Sequence, residues 1–478
     1  MWGAAQQSKS VSLQHKMPRP QTLHEEPLLN AVPERVAAPV TEPEVGDSGA
    51  AFNWRDCWYP VSFLLDIPRD KPYAFSLHDE PLVLFFNDQG EPVCLRDRCA
   101  HRAARLSDGK LVDGRIECLY HGWQYDSTGQ CQRIPQLDAR LAIPARVCVQ
   151  RFAVHVCQGL VWMWAGDPEA ADPEAIPLAK DLEASGVFCV DFQIDLPYDQ
   201  SFLIENVIDV AHIHIAHDGV RGGGLRDMAR PLEFDVRENS IKGIRSGFRT
   251  QGLGPREDSP LEDAQVQFVA PNLVRFDSTY KDKTLVAGLS LYSIPSGKSR
   301  CRLLYRKYSN FVSRKERWKP RWLEHWTQCL ILEQDMGVVI GQYQAIERSD
   351  QQLKQLWYPL RSSDQLVVAY RSWLDRFGSS LPYYRGYTSA KLAAHLPAAP
   401  SAATPTGRFA QHTRVCATCT ATHQRTARAI PLVWGVVAVA ATISLALAGT
   451  GYGVAAAVAA LAAAGFATAL KAFKRRFE

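Results

Sequence analysis

The chain has 478 residues, room for two or three domains, and 46% hydrophobic with 22% charged residues is an ordinary globular composition. Its 54 basic and 50 acidic side chains leave a net charge of +4, too small to argue for nucleic acid, and no Lys/Arg run in the body looks like a phosphate-binding stripe. The twelve cysteines are scattered, which excludes a disulfide framework and favours a reducing compartment with metal or redox roles for a special few.

Residues 1–50 are polar, with six prolines and no sustained periodicity, and are predicted to be disordered. The first 24 carry Lys9, Lys16 and Arg19 and no acid, compatible with part of an organelle transit peptide, although Glu25, Glu26 and Glu34 follow soon after. From Phe52 short β runs begin. "PLVLFFNDQGEPVCL" reads as a hairpin, and "VHVCQGLVWMWAGD" as a second strand pair around Gly159. Residues 53–170 are therefore predicted to form a small β domain. An α+β domain is expected over 171–395. Its strands are "VFCVDFQIDLPYD" and "VQFVAPNLVRFDSTY", and its long helix is "RWLEHWTQCLILEQDMGVVIGQYQAIE".

A Pro/Ala/Thr-rich linker then occupies 396–428 and contains the C-x-x-C of Cys416 and Cys419. Residues 430–470 hold no charged side chain. "IPLVWGVVAVAATISLALAG" is long enough to cross a bilayer, "TGYG" makes a turn, and "VAAAVAALAAAGFATAL" returns, a membrane-anchor hairpin. Arg425 and Arg428 at one end, and Lys471, Lys474, Arg475 and Arg476 at the other, place both ends on the inner side. The alternatives are a buried helical pair in a globular core and, because the second segment is Ala-rich, a single span.

Within the β domain, Cys99-x-His101 and Cys118-x-x-His121 are separated by sixteen residues. A structural zinc finger usually has its thiolates in one loop and its imidazoles in another. Here each loop has one of each, which suits a two-iron cluster: the two Cys hold one iron, the two His the other. Such His₂Cys₂ ligation defines a Rieske [2Fe–2S] centre; zinc is the competing reading. Gly109, Gly114 and Gly122 near the loops let the backbone approach closely. A one-electron cluster needs an acceptor, and "ENVIDVAHIHIAHDG" supplies Asp209, His212 and His217 as D-x-x-H-x₄-H. On a helix Asp209 and His212 share a face, while His217 requires a distortion near His217-Asp218-Gly219. Two His plus one carboxylate is the facial triad of non-haem iron(II) oxygenases. For the carboxylate, Asp335 is surrounded at helical spacing by Ile331, Leu332, Val338 and Val339, where a charge is costly unless paired or metal-bound. Glu333 has a less uniformly apolar ring. Asp335 is the expected ligand; a salt-bridged core acid is the bland alternative.

Over about residues 53–395 these motifs, C-x-H, C-x-x-H, N-x-x-D-x-x-H-x₄-H and Q-D, resemble those of Rieske non-haem iron oxygenases. With "RVCATCTA" before a C-terminal hairpin, the chain resembles the pheophorbide a oxygenase group, which includes protochlorophyllide-oxidising and translocon-associated plastid proteins. Ala100 and Leu119 stand where many relatives have proline, without disturbing the four ligands. The resemblance implies a Rieske β-sandwich domain on a helix-grip-like catalytic domain, α+β overall, with the transmembrane hairpin behind. It implies one [2Fe–2S] cluster and one mononuclear Fe(2+) per chain, ferredoxin as the electron donor, and homotrimers in which one subunit's cluster feeds the next subunit's iron through Asp209. It further implies a monooxygenase of chlorophyll catabolism, acting with O₂ on a tetrapyrrole, pheophorbide a foremost, at a plastid membrane (inner envelope or thylakoid), with the soluble domains on the stromal side. Alternatives are a protochlorophyllide or phyllobilin oxygenase, a redox-sensing component of a plastid envelope protein-import complex, and a sterol or other hydrophobic-ring oxygenase, against which the C-x-x-C before a C-terminal anchor speaks. The group's C-x-x-C is linked with thioredoxin, so Cys416 and Cys419 are expected to be a redox pair. A structural zinc there needs two further ligands, and only His412 and His423 lie near in sequence.

Overall fold

The computed structural model describes residues 52–220, 224–250, 261–391 and 407–478. The expected disorder over 1–50 and the linker stretch 396–406 lie outside them.

The N-terminal part is built of three small antiparallel sheets. One joins β1 (Trp58–Phe63) to β11 (Leu160–Trp164) and β11 to β10 (Val154–Cys157). A second runs β2 (Tyr73–Leu77), β3 (Glu80–Phe86), β4 (Pro92–Arg96), β9 (Arg151–Phe152). The third runs β5 (Lys110–Val112), β6 (Arg115–Glu117), β7 (Gln124–Tyr125), β8 (Cys131–Arg133). The β3–β4 and β10–β11 hairpins fall on the two expected strand pairs. The continuous apolar run Leu82–Phe86 is buried on both faces, so β3 is covered from either side.

The second part is a seven-stranded antiparallel sheet in the order β12 (Phe188–Leu196), β18 (Arg300–Ser309), β17 (Ala287–Gly297), β16 (Leu273–Tyr280), β15 (Leu261–Val269), β14 (Gly243–Thr250), β13 (Leu232–Ser240). The chain leaves β12, forms α1 (Gln200–Ile208) and α2 (Ile213–Ala216), and returns as a meander ending beside β12. After the single turn α3 (Arg314–Arg317), helix α4 (Arg321–Glu347) occupies the span expected for the long helix. Following α5 (Leu353–Leu356), α6 (Gln365–Phe377) packs on α1 and on β13 and β14; α1 in turn lies on β15–β18, and α4 on β12. β19 (Tyr384–Arg385) and β20 (Ala390–Lys391) form a small separate ribbon. One buried cluster runs through both parts, from Trp58 and Trp162 to Tyr292 and Trp373, and Trp162 meets Tyr292 edge-to-face at 5.5 Å.

The chain ends in α7 (Arg408–Gln411), α8 (Ala417–Ala446) and α9 (Gly451–Lys474), the last two packed together through a turn at Leu447–Thr450. Both are long and apolar enough to cross a bilayer. Their outer side chains, including Leu432, Val439, Leu445 and Leu461, are exposed, which removes the buried-core alternative for this pair. The helix begins at Ala417, far ahead of Ile430. Cys419 is thus helical rather than part of an extended linker, because the Asp66 carboxylate accepts from the Ala417 N–H at 2.9 Å and caps the helix start.

Candidate metal centres

The first Cys/His pair follows β4 and the second bridges β6 to β7. Each loop closes on its own cysteine. Cys99 N–H donates to Ala104 O at 2.8 Å, and Cys118 N–H to Trp123 O at 2.8 Å. Gly122 has φ +72°, a conformation that lets the second loop reverse directly after His121. At Gly109 a Cβ would sit 2.0 Å from Glu117 O, so the two loops approach as closely as they do only over glycine. Cys99 and Cys118 are buried, His121 is half-buried, and His101 is exposed. The imidazoles lie with ring centroids 4.5 Å apart, and His101 stacks on Trp123 at 4.4 Å. Two enclosed thiols behind two outward imidazoles fit a two-iron cluster, with the thiolate-held iron inside and the imidazole-held iron at the surface. Tyr125 was not singled out from the sequence. Its hydroxyl lies 3.1 Å from Cys99 Sγ and accepts from Ala100 N–H at 3.1 Å, leaving its proton for the sulfur.

In the second part, Asp335 projects from α4 toward the α1–α2 junction. His217 Nε2 is 3.3 Å and His212 Nε2 is 3.7 Å from its two oxygens. One nitrogen from each histidine and one carboxylate oxygen all fall within 4.8 Å of one another. Burial pushes the Asp335 carboxyl up, against the opposing pull of the two imidazoles. A buried carboxylate with two imidazoles, joined by no fourth Asp, Glu, His or Cys among the described residues, fits a mononuclear divalent iron with open positions. Gln334 Oε1 lies 3.2 Å from His217 Nδ1, where it accepts that proton and leaves Nε2 bare toward Asp335. Only the Q-D pair in the sequence hinted at it. Glu333, the other acid considered, points away and pairs with Arg408 at 2.6 Å. The apolar ring around Asp335 is only partly as expected: Val339 is buried while Val338 is 68% exposed.

Asp209 and His212 do not share one helix. Helix α1 ends at Ile208, Asp209 takes an extended conformation, and α2 begins after His212. The break has a local cause, since Asp209 Oδ1 accepts from Ala211 N–H at 2.8 Å and competes with the helical ladder. The expected irregularity after His217 is present too, with Gly219 at φ +77°. Asp209 Oδ2 still lies 3.6 Å from His212 Nδ1, too far for a hydrogen bond, and that buried nitrogen has no hydrogen-bond partner. A cleft of about 450 Å³ opens here, bordered by Asp209, His212, Val339, Gln342 and Trp357. Cys416 and Cys419 lie elsewhere, buried with free thiols against His325 and His412; His423 instead faces Glu478 at 3.4 Å.

Residues 57–153 match the Rieske [2Fe-2S] domain family, and 268–352 match the pheophorbide a oxygenase family. The chain is 34% identical over 439 residues to pheophorbide a oxygenase, chloroplastic, of Arabidopsis thaliana, covering 81% of this chain and 79% of that protein. To protein TIC 55, chloroplastic, of the same plant it is 35% identical over 351 residues, covering 72% of this chain and 63% of that protein; it thus spans under two thirds of that relative's length. Among solved structures, dicamba monooxygenase bound to dicamba superposes with a TM-score of 0.57 at 24% identity, over 69% of this chain and 98% of that one, a likeness of fold. The two domain matches carry the cofactors that the donor sets fit, a [2Fe–2S] cluster and a mononuclear iron. With the fold, both donor sets and a relative matched along most of its length in agreement, the chain belongs to the pheophorbide a oxygenase family of Rieske oxygenases.

Proposed function

We propose that the protein is a ferredoxin-dependent Rieske monooxygenase that uses O₂ to oxidise a chlorophyll-derived tetrapyrrole, pheophorbide a foremost. The observation that carries this reading is Asp335, 6% exposed, facing the Nε2 atoms of His212 and His217 at the edge of an open cleft. Bound there, ferrous iron would supply the centre for O₂ activation, with electrons arriving singly from a cluster on Cys99, His101, Cys118 and His121. The chain's own residues prepare the site. Gln334 fixes the tautomer of His217, and Asp209 stands beside His212 Nδ1 with a second carboxylate face available.

In a homotrimer that face would meet the cluster histidine of a neighbouring subunit. Exposed Leu119 and Tyr120, beside His121 at the cluster tip, offer an apolar surface for such docking. The α8–α9 pair would anchor the protein in a plastid membrane, inner envelope or thylakoid, with its basic flanks and soluble domains on the stromal side. An anchored enzyme would meet a planar apolar macrocycle where it partitions. Protochlorophyllide and a phyllobilin are the alternative substrates.

A second reading, from the resemblance to translocon-associated plastid proteins, is a redox-sensing component of an envelope import complex. A sensor has no need for three iron donors converging beside a cleft, and on that ground the enzyme is preferred. A thioredoxin-reducible Cys416–Cys419 pair belongs to the sensing reading; the burial of both thiols speaks against thioredoxin access. The test is O₂ uptake with reduced ferredoxin and a panel of chlorophyll-derived pigments. Uptake stimulated by one pigment supports the enzyme. Uptake indifferent to every pigment, in protein carrying cluster and iron, would contradict it.

A further inference from the structure

Beyond both centres, four side chains from distant parts of the chain converge under the base of the C-terminal hairpin: His325 of α4, His412 after α7, and Cys416 and Cys419 at the start of α8. We propose that these four form a structural zinc site that fastens the C-terminal hairpin to the helix bearing Asp335.

The distances fit one ion. His325 Nδ1 lies 3.3 Å from Cys416 Sγ and 3.5 Å from Cys419 Sγ, and His412 Nε2 lies 3.2 Å from Cys419 Sγ. Tetrahedral zinc, with Zn–S of about 2.3 Å and Zn–N of about 2.0 Å, sets its sulfur and nitrogen donors about 3.5 Å apart. One donor atom from each of the four lies within 4.8 Å of all the others.

The outer contacts then orient the imidazoles. His325 Nε2 lies 2.7 Å from Asp191 O, and His412 Nδ1 lies 2.6 Å from Gln193 O. A carbonyl only accepts, so both of these nitrogens carry hydrogen. That leaves His325 Nδ1 and His412 Nε2 as the nitrogens turned inward, toward the two sulfurs and available to a metal. A histidine that donates outward to a backbone oxygen and turns its bare nitrogen inward is the arrangement metal sites use to orient their ligands. Both carbonyls belong to β12, so the strand itself aims the pair.

Charge and burial agree. The four residues are between 0% and 2% exposed. Zn²⁺ displaces two thiol protons on binding, and two thiolates with two neutral imidazoles leave a site of zero net charge, which a buried location tolerates. The surroundings hold the segment in place besides. Asp66 caps α8 and pairs with Arg321 at 2.8 Å, Thr413 donates to Phe477 O at 2.7 Å, and Phe477 and Trp322 close over the cysteines. From His325, α4 continues ten residues to Asp335, about 15 Å along its axis.

The full-length protein, purified in detergent under reducing conditions, is tested by metal analysis and zinc X-ray absorption. The expected result is about one zinc per chain, with two sulfur and two nitrogen neighbours. Zinc should be lost in Cys419→Ser and in His325→Gln, and kept in Asp335→Ala, which separates this site from zinc misplaced in the iron site. The wild-type spectrum stands even where a variant fails to fold. Absence of zinc, zinc with no sulfur neighbours, or a Cys416–Cys419 disulfide that thioredoxin reduces would each overturn the proposal.

Discussion

A carboxylate as enclosed as Asp335 is costly unless a cation answers it, and with two imidazoles facing its oxygens the pocket suits a metal cation. Asp335→Ala should therefore lose the mononuclear iron and lower turnover by at least ~100-fold, while the visible spectrum of the cluster persists. Glu333→Ala should do neither, since that acid serves a surface pair with Arg408; the reverse pattern, read by iron content and turnover, would exchange their roles. Asp209→Asn should keep iron and lower turnover by about 10–100-fold, because it alters what lies beside His212 and not the donors themselves. Hydrogen bonds to cluster sulfurs help set reduction potential, so Tyr125→Phe, which removes one from Cys99, should lower the midpoint measured by redox titration. A potential unchanged or raised would deny Tyr125 that role. The Cys/His spacing and the apolar neighbours of Asp335 were readable in the sequence. Tyr125 and His325 were not, since each acts on a partner that the chain brings near only by folding.

Helix α1 shows how an element is held where the chemistry needs it. One turn before Asp209, Glu205 accepts from Arg371 of α6 at 2.6 Å and from Gln342 of α4 at 2.6 Å, with the acid and the guanidinium both buried and Gln342 half-buried. The contact ties three helices together behind His212 and Asp335. Removing one member of a buried pair leaves the other charge unanswered, so Arg371→Met should cost about 3–5 kcal/mol. Chemical unfolding of the detergent-solubilised protein checks this, and a change under about 0.5 kcal/mol would show the pair to be dispensable. At this scale α4 was legible end to end, because twenty-seven residues with one strong pattern and Pro320 before them allow little else. The interruption between α1 and α2 was not foreseen, and it comes in addition to the expected one after His217. Helical periodicity runs through Asp209, and the competing bond from its side chain to Ala211 N–H is a local event that periodicity does not register.

Across the whole molecule, two sheet-built parts share a core, and an apolar helical pair leaves from one end. The pair was plain in the sequence as a charge-free stretch; its docking through Cys416 and Phe477 onto α4 and β12 was not, being made of contacts between segments far apart in the chain. A chain ended at Arg428 lacks most of that apolar surface and should stay in solution after high-speed centrifugation, whereas continued pelleting with membranes would require another membrane-binding face. The central claim is that one oxygen atom of O₂ is transferred to a chlorin at the His212–His217–Asp335 site, the other leaving as water with two electrons from ferredoxin. Its most direct test supplies the purified protein with reduced ferredoxin, pheophorbide a and isotopically labelled O₂, and weighs the product. The account predicts a product carrying label from O₂ with the wild-type chain and none with Asp335→Ala. Unlabelled pigment recovered intact from protein with cluster and iron in place, for pheophorbide a and for protochlorophyllide alike, would contradict it.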